Sequence, residues 1–426
     1  MESAIQSRDL RKTVIVGVIG NIMEWYDFAL YGYFAPVLAN LFFPSKDPVV
    51  SLISTFGVFA TGFLMRPVGA AIFGHFGDRM GRRKALSASV LLMAIATASM
   101  GLLPTYAQIG VTATVLLMLL RLLQGISAGG EFTGSISFLV EHAPPSRRGF
   151  IGSWTTFSGV SGMLLGSGTG ALVTFYLSNE ALNSWGWRIP FLLGILTGAA
   201  GLYLRFGVEE SPMFKKLKES GKVVRAPLKV AFRDFHKEIL TAIGVNWVNA
   251  AVFYTVWVYN TTYLVTVTDL PLSSALLINT LSMLFLIVCI PIIGSLSDRV
   301  GRKPLLLSGS IGVAFLAYPL YYLLSQGTFG SALAAQLVFV IPISMLQGTM
   351  PTAMVELFPT SSRYSALSIS YNIAFAIFGG TAPLVATQLI SMTADPLSPS
   401  FSLILAAVVS LFFIASMKER YQEALR

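Results

Sequence analysis

Gly74-His75-Phe76-Gly77-Asp78-Arg79-Met80-Gly81-Arg82-Arg83-Lys84 joins two apolar stretches, and a near copy follows 220 residues later, starting at Gly294. The copy reads Gly294-Ser295-Leu296-Ser297-Asp298-Arg299-Val300-Gly301-Arg302-Lys303. A second pair has almost the same offset: Glu141-His142-Ala143-Pro144 with Arg148, and Glu356-Leu357-Phe358-Pro359 with Arg363. A period of half the chain is too long for a solenoid and points to a duplicated helical bundle.

Composition fixes lipid as the solvent. Of 426 residues, 54% are hydrophobic and only 12% charged, with a mean hydropathy of +0.71. Soluble domains carry roughly 25% charged residues. The single cysteine, Cys289, lies in an apolar run, which leaves neither a disulfide framework nor a cysteine metal site. Met1 to Lys12 is polar, and the apolar run after it is long, carries Glu24 and Asp27, and lacks a small-x-small cleavage site. It reads as a first membrane span rather than a cleaved signal.

About 20 mostly apolar residues cross a hydrocarbon layer. On that measure spans are expected near 13–40, 49–76, 85–103, 108–142, 148–177 and 186–206. Six more are expected near 238–267, 271–297, 303–325, 330–357, 363–391 and 400–417. The fold class is therefore an all-α membrane protein of 12 transmembrane helices in two six-helix bundles. The expected division is 1–207, a charged linker 208–237, and 238–426. Of 29 Lys and Arg, Lys46 and Arg188 fall on expected outer segments and Arg66 and Arg121 within spans; the other 25 lie on one side. That side is expected to be cytoplasmic, with both termini. The net charge of +9 is thus a topology signal, and nucleic acid drops out as a partner.

Charges at membrane depth cost several kcal/mol in most estimates and mark pathways. The first half has Glu24, Asp27, Arg66, Arg121 and Glu131; the second has none well inside a span. His75, His142 and His236 fall at span ends or in the linker, which argues against a midmembrane histidine relay. Glu24, Asp27 and Tyr31 share a helical face, and Gln124, Ala128, Glu131 and Ser135 form a second polar stripe with Arg121 one turn away. Asp27, Arg66 and Glu131 are expected within a turn or two of one depth. A cation between carboxylates suits an anionic substrate group and proton exchange. In the second half Asn246, Asn249, Phe253, Trp257 and Asn260 form one stripe, and Ser368, Tyr371, Asn372 and Phe375 another. Rings facing a cavity hold a cation by cation–π attraction. Glycines spaced by four, including Gly125 and Gly129, read as close helix packing. No metal spacing, nucleophile elbow or phosphate loop is present, so an enzyme is not expected and no metal or cofactor is called for.

The paired Gly-x3-Asp-Arg-x-Gly-Arg-Arg/Lys loops resemble the signature of the major facilitator superfamily, as does Arg121-Leu122-Leu123-Gln124-Gly125 through Glu131. More narrowly, Gly20-Asn21-Ile22-Met23-Glu24-Trp25-Tyr26-Asp27-Phe28, Arg66-Pro67-Val68-Gly69 and Trp185-Gly186-Trp187-Arg188-Ile189-Pro190-Phe191 are similar to its metabolite:proton symporter family. Tyr371-Asn372 with Phe378-Gly379-Gly380 extends the likeness almost to the end. Gly129 to Gly134 and Arg148 to Trp154 are most similar to the proline/betaine branch. Where osmosensing members carry a long coiled-coil tail, only Met417 to Arg426 follows here, so osmotic activation is not implied.

The resemblance implies a proton-coupled importer of a small carboxylate-bearing solute, foremost proline or glycine betaine, with the proton as coupling ion. Di- and tricarboxylates are the alternative, and a drug/proton antiporter is a further one. Proton coupling falls to Asp27, Glu131 and Glu24. Substrate contacts fall to Arg66, Arg121, Tyr31, Gln124, Trp154, Asn246, Trp257, Tyr371 and Asn372. A conformational latch is implied for Asp78, Arg79 and Arg82 and for Asp298, Arg299 and Arg302. Glu141 with Arg148, and Glu356 with Arg363, are its companion charges, the aspartates facing helix N-termini. A monomer in a bacterial inner membrane is expected.

Overall fold

The computed structural model describes residues 18, 20–80, 82–129, 131–206, 233, 235–359 and 363–425, without the side chains of 74–80, 82–86, 131, 197 and 200–206. The expected sites at Asp78, Arg79, Arg82 and Glu131, and nearly all of the linker 208–237, lie outside the described residues and side chains.

The described chain is helical, with no strand among the described residues. Its first half comprises α1 (20–42), α2 (Pro48–Leu64, resuming as Arg66–Met80), α3 (Arg82–Leu102), α4 (Val111–Ser127 and Glu131–Glu141), α5 (Arg148–Tyr176) and α6 (Arg188–Phe206). The second comprises α7 (His236–Thr266), α8 (Leu272–Val300), α9 (Arg302–Leu324), α10 (Phe329–Leu357), α11 (Arg363–Thr393) and α12 (Pro399–Ser416). These are the twelve spans in two sets of six. Among the described residues, eight helices are long and apolar enough to cross a membrane on composition alone. α5 is not one of them because the side it turns to protein is built of small and hydroxyl residues: Gly152, Ser153, Ser158, Gly159, Gly162, Gly166 and Ser167 are all buried. Lipid meets the outer surfaces, including the outer side of α5, where Leu172, Phe175, Phe315, Leu405 and Phe412 stand exposed.

The two sets meet chiefly along α5 against α8, with α10 also against α5 and α11 against α2. Local breaks in the helices place the site. Pro67 has no N–H to offer Phe63, so α2 ends at Leu64 and restarts at Arg66, which puts the arginine at the break. α4 and α2 cross at backbone distance: a Cβ at Gly125 would overlap the Gly62 carbonyl, and one at Gly129 the Arg66 carbonyl. α7 and α11 each contain a π-helical turn, Thr255–Tyr259 and Phe375–Gly379. Gly301, at φ 97°, makes the turn between α8 and α9, a backbone conformation that a side chain would strain.

Candidate functional site

A small cavity lies between the two sets of helices. Trp25, Phe132 and Thr156 line it from the first, and Asn246, Asn249, Phe253, Gln347, Met354, Tyr371 and Phe375 from the second. Its rings interlock edge to face and face to face. Trp25 is 5.5 Å from Phe132 and 5.4 Å from Phe253, and Tyr371 lies 5.1 Å from Phe132 and 4.0 Å from Phe375. The space for the centre of a water-sized sphere is about 20 Å³. That is room for a single water, so a larger molecule requires the halves to part.

Behind one wall sits Arg66, 2% exposed. Its Nη2 is 3.9 Å from Glu24 Oε1, and its guanidinium carbon is 5.9 Å from the Trp25 ring and 6.0 Å from that of Tyr371. The Nε of Arg66 and the Nε1 of Trp25 have no hydrogen-bond partner among the described residues. Both are donors, and both belong to the first half. Arg121, fully buried, is boxed by Phe28, Tyr31 and Phe59 at 4.0, 4.8 and 4.7 Å. Its Nη1 donates to Gln124 Oε1 at 2.8 Å, and Gln124 Nε2 to Thr97 Oγ1 at 2.8 Å. Rings are the least polar groups that still attract a cation, which is how two arginines sit at this depth.

Asp27 does not face the central cavity. It lines a separate pocket of the first half, with Glu24, Ser89, Met93, Ser127 and Gly198. A Cβ on Gly194 of α6 would stand 3.0 Å from Asp27 Oδ1. Ser89 Oγ donates to the Ser127 carbonyl at 2.8 Å and Ser127 Oγ to that of Ser89 at 2.6 Å, which ties α3 to α4 beside this pocket. Glu24 lines the pocket and pairs with Arg66, and so joins the two compartments. Tyr31, expected on the face of Asp27, instead packs by Arg121 and donates to the Thr55 carbonyl at 3.1 Å.

Other expected residues divide. Asn246 and Tyr371 line the cavity. Asn372 lies at the same seam and donates across it to the Gly129 carbonyl at 3.0 Å. Trp154 does not join them; it packs against Phe157 and Phe150 of its own helix. Trp257 and Asn260 also depart from the stripe of Asn246, Asn249 and Phe253. The π-helical turn adds a residue to the local repeat and rotates the later part of the helix by about 100°. Trp257 is buried elsewhere, its carbonyl accepting from Asn279 Nδ2 at 3.1 Å, and Asn260 Oδ1 accepts from Tyr321 at 2.8 Å. Trp25, Phe132 and Gln347 are wall residues that sequence reasoning misses; the first two adjoin Glu24 and Glu131 in sequence, where the charges draw attention from the rings.

At the end where the α8–α9 turn lies, charges cross between the sets. Asp298 caps α5: its Oδ1 accepts from Gly149 N at 2.7 Å and its Oδ2 from Phe150 N at 2.9 Å. Arg302 binds Asp298 at 3.0 Å and Glu356 at 3.1 Å. The companion pairs differ from expectation. Glu141 pairs with Arg363 of the other half at 2.7 Å, whereas Arg148 donates to the Glu423 carbonyl at 2.8 Å. Sequence repeats place each acid near the arginine that follows it, but packing of α4 on α11 brings Glu141 to Arg363, while Glu356 goes to Arg302. Arg299 is exposed and makes no ion pair among the described residues.

This chain matches the sequence profile of the Major Facilitator Superfamily over residues 17–383. It is 36% identical to the glycine betaine/proline/ectoine/pipecolic acid transporter OusA of Dickeya dadantii, covering 98% of this chain and 85% of that protein. It is likewise 36% identical to a proline/betaine transporter of Salmonella typhimurium, over 99% of this chain and 86% of that protein. A putative proline/betaine transporter of Staphylococcus aureus is also 36% identical, over 96% and 88%. Among solved structures, the proton:xylose symporter XylE superposes with a TM-score of 0.77 at 19% identity, covering 97% of both chains, a likeness of fold alone.

Proposed function

The chain belongs to the major facilitator superfamily, in the branch that holds proline/betaine transporters, and from that premise we propose that it imports zwitterions of the proline and glycine betaine kind with protons. It is a multi-pass membrane transporter rather than an enzyme. The observation that carries the substrate class is the division of the cavity wall. On the first half a donor stands in the wall at Trp25 Nε1 and another behind it at Arg66 Nε, and rings with the amides of Asn246, Asn249 and Gln347 line the second half. A carboxylate suits the first and an ammonium the second.

In this reading Arg66 receives the substrate carboxylate, and Asp27 exchanges the proton in its own pocket, with Glu24 between them. Glu131 is a second candidate for the proton. Arg121 and Gln124 hold α1, α2 and α4 in register rather than touching substrate. The halves rock about the cavity. Asp298, Arg302, Glu356, Glu141 and Arg363 fasten one end while the other opens, and Asp78, Arg79 and Arg82 belong to the same device by the repeat. That fastened, arginine-rich end faces the cytoplasm, with both termini, in a bacterial inner membrane. The working unit is the monomer, its coupling ion is the proton, and no other cofactor or nucleic acid takes part.

The test is uptake of labelled proline, glycine betaine and 2-oxoglutarate by vesicles holding the purified protein, with and without an inside-alkaline pH difference. Saturable accumulation of the first two that grows with the gradient is expected. Accumulation of 2-oxoglutarate alone, or efflux in exchange for protons, contradicts the reading.

A further inference from the structure

Asn246 brings to the cavity wall a buried amide whose oxygen is left over. It lines the cavity and is fully buried. Its Nδ2 donates to the Ala242 carbonyl at 2.9 Å and lies 2.8 Å from Met354 Sδ. A backbone carbonyl can only accept, so the amide nitrogen must face Ala242, which fixes the orientation of the group. Asn246 Oδ1 then has no hydrogen-bond partner among the described residues. The neighbouring amide oxygen is occupied: Asn249 Oδ1 accepts from Gln347 Nε2 at 2.7 Å. Among the described residues that line the cavity, none is a carboxylate.

These facts separate two kinds of ammonium. A quaternary ammonium has no N–H; ring faces attract it and nothing need accept from it. A primary or secondary ammonium carries N–H groups that lose water on entry and need acceptors in return. With its carboxylate toward Arg66 and Trp25 on the first half, a zwitterion turns its ammonium toward α7, where Asn246 stands. We propose that Asn246 Oδ1 accepts a hydrogen bond from the substrate ammonium, and so admits zwitterions bearing N–H, while fully N-methylated ones are held by the rings alone. This rests on the reading of the chain as an importer of such zwitterions.

The experiment is uptake of labelled proline and labelled glycine betaine by vesicles containing wild type or Asn246→Leu, which keeps the branched shape without the acceptor. Uptake of proline, as kcat/KM, should fall about 10- to 100-fold, since a site robbed of its polar partner rejects the group that needed it. Glycine betaine should lose at least about tenfold less than proline, as its ammonium asks for no hydrogen bond. Should the leucine variant fail to fold, judged by gel filtration, Asn246→Ala carries the same expectation. Equal loss of both solutes, or an unchanged ratio, overturns the proposal. So does a wild type that takes betaine and refuses proline. A wild type that accumulates neither solute sinks the importer reading itself, and is told apart by that result.

Discussion

Residues 20–206 and 236–416 bury different chemistry on the two sides of the cavity. In the first block Glu24, Asp27, Arg66 and Arg121 are buried along the membrane interior. In the second, the buried charges among the described residues are Arg302, Glu356 and Arg363, all in the cluster at the fastened end. The interior of that block instead offers Asn246, Asn249, Gln347 and rings. Charges far from water are expensive, and a fold that needed only to pack would dispense with them. An amide costs less and can face a ligand without changing its charge. The charged loop is repeated in both blocks, while their interiors differ, with ionised side chains in one and amides and rings in the other.

The sharpest way to break this contrast is Arg66→Gln. Removing the guanidinium takes from Glu24 its contact with Arg66 and from the substrate carboxylate its counter-charge, a loss of more than about 100-fold in uptake. Vesicle transport measured alongside thermal unfolding checks this; half the normal rate from Arg66→Gln would place the charge outside the mechanism. Asp298→Asn comes next. It weakens the cap on α5 and the Arg302 contact, so turnover should fall about tenfold while equilibrium binding stays within about twofold. Calorimetric titration beside transport kinetics separates the two, and weakened binding at unchanged turnover would count against a conformational role.

Rings should behave alike whichever half they come from. Phe132→Ala and Phe253→Ala are each expected to weaken glycine betaine binding about three- to tenfold by loss of cation–π attraction. A large effect confined to one of them, in the same binding titration, would shift the ammonium to that wall. The smallest effect belongs to Trp154→Ala: it packs on its own helix, and uptake should change less than about twofold, as for surface substitutions generally.

Much of this is legible in the residues alone. The spans, the repeated loop and the buried charges of the first half come from hydropathy and spacing. Two kinds of information do not. Helical periodicity assumes one repeat throughout, so it carries the stripe of Asn246, Asn249 and Phe253 on to Trp257 and Asn260; the π-helical turn at Thr255–Tyr259 breaks that register. Pairings across the halves are likewise invisible to local spacing, as Glu141 with Arg363 shows at 222 residues' separation. The pocket of Asp27 belongs with these. Position along α1 gives its depth, but only the approach of α3 and α6 decides that it faces away from the cavity.

That separation makes the central claim testable at one residue. In vesicles containing Asp27→Asn, exchange of labelled for unlabelled glycine betaine without any gradient should continue, because the cavity and its wall are untouched. Accumulation driven by an inside-alkaline pH difference should disappear. A variant that still concentrates betaine in proportion to the pH difference would contradict the assignment of coupling to the charged block.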